Sequence, residues 1–362
     1  MLIYILNLLL IVVLRILIKD KKKYVAIVSI QLFLVLACRD SLLGVDLSNY
    51  VSGYKYISSL RFIDVIRKIH FLSTADLIYP FSYESGYMLL NWIISKLGLN
   101  FHGFLVVCAL FNIYTFAYFI YKYSKIPWIS FFILCTFGTY TYFFGILRHS
   151  IALCLFLWSL ESHIKNKKIC SYALFLLAFM NHRSVISLFP LLLLLKKQKL
   201  TKKKFFVIIL SYIPYFLLSK FIYSNVVLKF MEFFGKSYVG NGFQINNLII
   251  LLLIIAMIIL FFANFDRIND DVFIRISLFA LILSIYFEII GMYNDNFARL
   301  VQMFNAFLIF LIPSVIYTYN KQKSILLVKV AMIIMLTVFY IGTIKNSNIV
   351  PYKIENENFL IG

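Results

Sequence analysis

The chain has 362 residues, of which 62% are hydrophobic, 18% aromatic and only 14% charged. With a mean hydropathy of +0.91, this composition excludes a soluble globular domain. The formal charge of +20 lies largely in short loops between apolar runs, so it reports membrane topology and not a nucleic-acid partner.

A helix needs about 20 apolar residues to cross a bilayer, fewer inside a bundle. Runs of that kind predict twelve spans, at 2–18, 24–38, 101–121, 127–145, 147–164, 169–181, 184–195, 205–222, 247–264, 272–290, 298–317 and 325–344. The stretch Met1–Ile18 has no basic leader and no small-residue cleavage site, so it reads as a retained span. Lys-rich segments at 19–23, 121–125, 165–168, 196–204 and 320–323, with 264–271, fall at every second junction. One orientation makes all six cytoplasmic and puts both termini outside. The fold class expected is an all-α polytopic membrane protein of about twelve spans, forming a single integral domain over 1–362. The pair 169–181 and 184–195 is short for two crossings. It reads as a broken hairpin around Asn181-His182-Arg183, which is tolerated at membrane depth only where it lines a protein cavity.

Two long outer loops follow from that topology, at about 39–100 and 219–246. Within the first, residues 56–72 form a basic amphipathic stretch suited to the headgroup plane, in contact with membrane lipids. Tyr83–Leu97 is too short to cross and reads as a re-entrant or interfacial helix. Five cysteines (Cys38, Cys108, Cys135, Cys154 and Cys170) lie within or beside spans with no C-x-x-C spacing. They predict neither a disulfide framework nor a metal site.

The two basic residue types separate by side. The cytoplasmic segments hold 17 Lys and one Arg, whereas Arg39, Arg61, Arg67, Arg148, Arg183 and Arg299 gather outside. Topology has no use for arginine there. A planar fork of donors suits phosphate or carboxylate held in a fixed orientation. Arg39-Asp40 sits at the mouth of the second span, followed by Gly44, Asp46 and Tyr50. Tyr83-Glu84-Ser85-Gly86-Tyr87 opens the re-entrant helix. Arg148-His149 follows the glycine-flanked aromatic break at 138–145, and is either a headgroup anchor or a cavity-lining group. His182-Arg183 occupies the hairpin turn, and Arg299 follows a tight outer turn at 293–298. Arg61, Arg67 and Lys68 suit anionic lipid headgroups.

Taken in order, RDSLLGVDLSNY, YESGYMLLNWIISKLG, GILRHSIALCLFLWSL, KKICSYALFLLAFMNHRSVISLFPLLLL, NDNFARLVQMFN and NIVPY resemble the EpsG-type polysaccharide polymerases, within the wider class of Wzy O-antigen and capsule polymerases. The resemblance covers about residues 30–355. It implies a GT-C type glycosyltransferase at the periplasmic face of a bacterial inner membrane. Donor and acceptor would be glycans linked to undecaprenyl pyrophosphate, with no cofactor, and a chain-length regulator would be a partner. On that basis Arg148 and Arg299 are expected to hold the pyrophosphate, with Arg39 paired to Asp40 to shape the site, and Tyr50 and Arg183 are further substrate- or pyrophosphate-binding residues. Asp40, Asp46, Glu84 and His182 all qualify by type as the general base. A ligase using the same lipid donor and a flippase of lipid-linked units are the rival functions. A flippase needs basic residues along the depth of several spans, and only Arg15, Arg275 and Lys329 lie deep here.

Overall fold

The computed structural model describes residues 1–67, 83–194, 201–229, 271–319, 324–345 and 347–355. Among these the chain is helical apart from one isolated antiparallel bridge, Arg39 to Ile354. It divides into two units, Met1–Ile186 with Leu327–Gly362, and Ser187–Leu326.

The first unit opens with α1 (Leu2–Leu17) and α2 (Lys21–Ala37). Asp20 caps α2 by accepting the Lys23 N–H, which supplies one of the donors a helix start leaves unpaired. Then come α3 (Leu47–Ser59), α4 (Phe62–Arg67), α5 (Ser85–Lys96) and α6 (Phe101–Tyr123). The expected span 127–145 is bent by 51° into α7 (Pro127–Thr136) and α8 (Thr139–Gly145). The hinge is Gly138, whose φ of 90° ends the first helix. After α9 (Leu147–Ile164), α10 (Lys168–Asn181) stops where His182 turns extended, and a 3-10 turn covers Arg183–Leu188. That is the break expected around Asn181-His182-Arg183.

The second unit comprises α11 (Phe189–Leu194), α12 (Lys202–Leu217), α13 (Ser219–Ile222) with a π turn at Tyr223–Val227, α14 (Val272–Gly291), α15 (Asp295–Asn305) and α16 (Leu308–Thr318). The final helix, α17 (Ser324–Lys345), returns largely to the first unit. The span expected at 247–264 lies outside the described residues, as does most of the outer loop 219–246.

Among the described residues, three stretches are long and apolar enough to cross a membrane unaided: Phe101–Tyr123, Val272–Gly291 and Arg299–Thr318. Counting the bent pairs α7–α8 and α12–α13 as single crossings gives up to five. The outer faces of the other helices carry the same message. Leu2, Leu6, Leu9, Leu10, Ile16 and Leu17 of α1 all stand exposed, an arrangement stable only where the surroundings are themselves apolar. Inside, α6 and α9 are joined by polar side chains: Asn112 donates to Ser150 Oγ at 3.1 Å and Trp158 Nε1 to Thr115 Oγ1 at 3.0 Å. Each such bond between membrane helices is worth about 0.6–2 kcal/mol.

Within the first unit the helix ends sort by charge. Lys21 donates to the Ser124 carbonyl at 3.0 Å, and Glu161 is paired with Lys122 and, at 2.8 Å, with Lys165. Three of the Lys-rich segments therefore share one end of this unit. The opposite ends of α2, α6, α9 and α10 lead to Arg39, Phe101, Arg148 and His182, and a buried, aromatic-rich cluster drawn mainly from α3, α5, α6 and α9 includes Phe101 and Leu147 at two of these ends. Its members include Leu47, Tyr50, Tyr54, Tyr83, Tyr87, Phe101, Phe104 and Leu147.

Candidate functional site

Glu84 is the centre of a constellation drawn from segments far apart in sequence. It precedes α5 in extended conformation (φ −68°, ψ 149°). Its Oε2 accepts from Arg148 Nη1 at 2.6 Å, and its Oε1 faces His182 Nδ1 at 3.1 Å and accepts the Arg183 backbone N–H at 3.4 Å. Arg148 Nε in turn donates to the Tyr50 hydroxyl at 3.3 Å. Its guanidinium lies 5.3 Å from the ring centre of Tyr83 and 5.8 Å from that of Tyr50, within cation–π range. The side chains of Glu84, Arg148 and His182 are 12%, 22% and 24% exposed, so the cluster is largely desolvated yet open on one side.

Local chemistry explains how these residues meet. Arg148 lies in the first turn of α9, just after Ile146 leaves the helical region. The α5 helix approaches the end of α10 so closely that a Cβ on Gly86 would lie 2.8 Å from the carbonyl carbon and oxygen of Met180. Only glycine lets Glu84 reach His182. Tyr83, stacked on Tyr50 at 5.7 Å and bonded to the Asn49 carbonyl at 2.6 Å, forms the aromatic backing.

Electrostatics favour an ionised Glu84. Burial by itself would raise its carboxyl, but the His182 hydrogen bond and the Arg148 charge outweigh it and hold the group at about 2. The outcome is a fixed carboxylate that orients a guanidinium with one oxygen and an imidazole with the other.

Five of the expected site residues, Tyr50, Glu84, Arg148, His182 and Arg183, thus converge. Arg39 is placed differently. It is fully buried, and it does not pair with Asp40 through any contact seen here. It donates to the carbonyls of Leu36 (2.8 Å), Phe143 (3.2 Å) and Phe144 (3.1 Å), with its guanidinium 5.1 Å from the Phe144 ring centre. The fork of donors satisfies carbonyls that the end of α8 leaves open. It thereby fixes the break ahead of Arg148. Against that break packs Gly44 (φ 146°), where a Cβ would lie 2.6 Å from the Phe144 oxygen. The Asp40 carboxylate accepts the Leu42 N–H at 2.7 Å in a local turn. Asp46 adopts φ 67° and its carbonyl accepts the Tyr50 N–H at 3.2 Å, at the head of α3.

Arg299 belongs to the second unit, exposed on α15. In that unit Tyr293 stacks on Tyr223 at 5.4 Å and bonds with Ser219 at 3.0 Å, and Asn294 donates to the Tyr223 hydroxyl. Asp295, which precedes Arg299, begins α15.

Three contributors have no sequence signal that ties them to the rest. Tyr83 reads as part of a helix start and not as a neighbour of Arg148. His149, whose ring centre lies 5.8 Å from that of His182, reads only as the residue after Arg148. Nothing in the sequence links the C-terminal segment to the first loop. Asp40 N–H donates to the Lys353 carbonyl and Glu355 N–H to the Cys38 carbonyl. Glu355 also accepts from the Ser41 N–H and hydroxyl at 2.8 and 2.6 Å. Pairings across more than 300 residues leave no local signal. Among the described residues no group of three His, Cys, Asp or Glu side chains is arranged to hold a metal.

Comparison with known proteins matches residues 22–354 to the model of the EpsG family. Neither a curated protein nor a solved structure matches the chain. The family match runs from α2 through both units to the C-terminal segment bound against Arg39, and the chain, an all-helical membrane protein, belongs to the EpsG family.

Proposed function

We propose that the chain is a polysaccharide polymerase, a GT-C type glycosyltransferase that joins lipid-linked oligosaccharide repeat units at the periplasmic face of the inner membrane. The donor is the growing glycan on undecaprenyl pyrophosphate. The acceptor is a sugar hydroxyl on a fresh lipid-linked unit, and each new glycosidic bond releases undecaprenyl pyrophosphate. O-antigen, capsule and exopolysaccharide are all products of this chemistry. A chain-length regulator is the partner such a reaction calls for, and the full topology is about twelve spans.

One observation carries the proposal: Glu84, Arg148, His182 and Tyr50 form a single partly open cluster, at the helix ends opposite the lysines. A leaving pyrophosphate gains negative charge in the transition state, and a guanidinium already held in place stabilises it without reorganisation. Arg183, beside the same carboxylate, supplies further positive charge. Exposed Phe62, Ile63 and Ile66 on α4, with Arg61 and Arg67, suit the lipid surface from which an isoprenoid substrate arrives.

Deletion tests the proposal. Loss of the protein should leave a single repeat unit on the final acceptor where a ladder of lengths stood before. Loss of every glycan, the single unit included, would favour a ligase or a flippase.

A further inference from the structure

We infer that His182, through Nε2, is the general base of the transfer, and that Glu84 is a positioning residue that sets its tautomer while holding Arg148. The inference rests on the polymerase function proposed above and prefers His182 to Glu84 and Asp40, which the sequence leaves equivalent.

Glu84 cannot serve as the base. Its Oε2 is bound to Arg148 at 2.6 Å and its Oε1 faces both His182 Nδ1 and the Arg183 N–H. A carboxylate so placed can only accept, so in the neutral imidazole Nδ1 carries the proton and Nε2 presents the lone pair. The Asp40 carboxylate is engaged in its own turn with Leu42, at the mouth bound by the C-terminal segment. His182 is the member of the cluster that combines a basic nitrogen with partial exposure, at 24%.

The transfer then balances as follows. The acceptor hydroxyl oxygen forms a bond to the anomeric carbon of the donor as the bond from that carbon to the pyrophosphate oxygen breaks. The electron pair of the broken bond leaves on that oxygen, beside Arg148. The hydroxyl proton passes to His182 Nε2, and the imidazolium formed is stabilised by Glu84. It is released later to solvent or to the departing pyrophosphate. One carboxylate therefore serves both halves of the reaction, orienting the group that meets the leaving charge and the group that takes the proton.

The charged and titratable groups around His182 are Glu84 ahead of α5, Arg148 and His149 on α9, and Arg183 beside it. Tyr50 and Tyr83 lie behind Arg148. The test uses the purified full chain in lipid with an undecaprenyl-pyrophosphate-linked repeat unit, measuring kcat and KM from pH 5 to 9. His182→Gln should lower kcat by roughly 10²–10⁴-fold with KM little changed, and added imidazole should restore part of the activity of His182→Ala. Glu84→Gln should lower kcat with KM little changed, because an amide no longer fixes the Nδ1–H tautomer of His182, and Glu84→Asp should recover part of the loss. A Glu84 that served structure alone would lower the yield of folded protein without a selective loss in kcat. Wild-type turnover in His182→Gln, or a Glu84→Gln variant of normal abundance with unchanged kcat, overturns the assignment while leaving the polymerase function intact. A wild-type chain that never lengthens the glycan overturns both.

Discussion

Replacing Glu84 and Arg148 by glutamine, singly and together, measures the bond at the centre of the site. The pair meets at 2.6 Å with side chains 12% and 22% exposed, so solvent screens it only in part. With charge centres about 4 Å apart and an effective dielectric near 20, their attraction is about 4 kcal/mol. Desolvation of the two ions offsets a good share of that. Removing Arg148 alone leaves a nearly buried carboxylate with only His182 and the Arg183 N–H, at a cost of about 3 kcal/mol. Removing Glu84 alone takes the carboxylate from a largely buried guanidinium, at a similar cost. The double variant strands neither, so it should be less damaged than the sum of the singles by about 2 kcal/mol. Reversible unfolding in mixed micelles with increasing dodecyl sulfate gives the four free energies needed. Additivity within about 0.5 kcal/mol would mean the two residues do not interact as described.

Three further outcomes follow from the same geometry. Gly86→Ala should destabilise the chain by about 1–3 kcal/mol and cut activity, because its methyl meets the Met180 backbone; Gly342→Ala, which meets nothing within 4 Å, should be harmless in the same melting and turnover assays. Arg148→Lys should lose roughly 100-fold or more in polymerisation at normal abundance, since charge without the fork does not orient leaving oxygens. Arg61→Lys, at an exposed pair with Asp64, should keep near-normal glycan ladders. Because Glu84 titrates at about 2 in the fold against an ordinary value of 4.5, its stabilisation is present above 4.5 and fades as pH falls toward 2. The stability gap between wild type and Glu84→Gln should therefore stay constant from about pH 7 to 5 and close only below that; a gap that closes between pH 7 and 5 would contradict it.

Much of this arrangement was legible in the sequence, and particular residues explain why the rest was not. The separation of lysine from outer arginine pointed to one face, and at that face of the first unit the structure joins Glu84, Arg148 and His182. The break at 138–145 was visible because Gly138 punctuates an aromatic run. The role of Arg39 was not, because its partners Phe143 and Phe144 are carbonyls more than 100 residues away, and backbone acceptors carry no sequence signature. Neighbouring Asp40 looked like its natural partner only because proximity in sequence is easier to read than the open end of a helix. Glu355 was hidden for the same reason, tied to Ser41 across the length of the chain.

The most direct measurement of the central claim follows glycan length on its lipid. Purified protein in vesicles, supplied only with undecaprenyl-pyrophosphate-linked repeat units, should yield products longer by whole repeats, with one undecaprenyl pyrophosphate released per bond, and Arg148→Lys should abolish both together. Vesicles in which the wild-type chain moves repeat units across the bilayer, or passes them to another acceptor, without lengthening them would contradict the account.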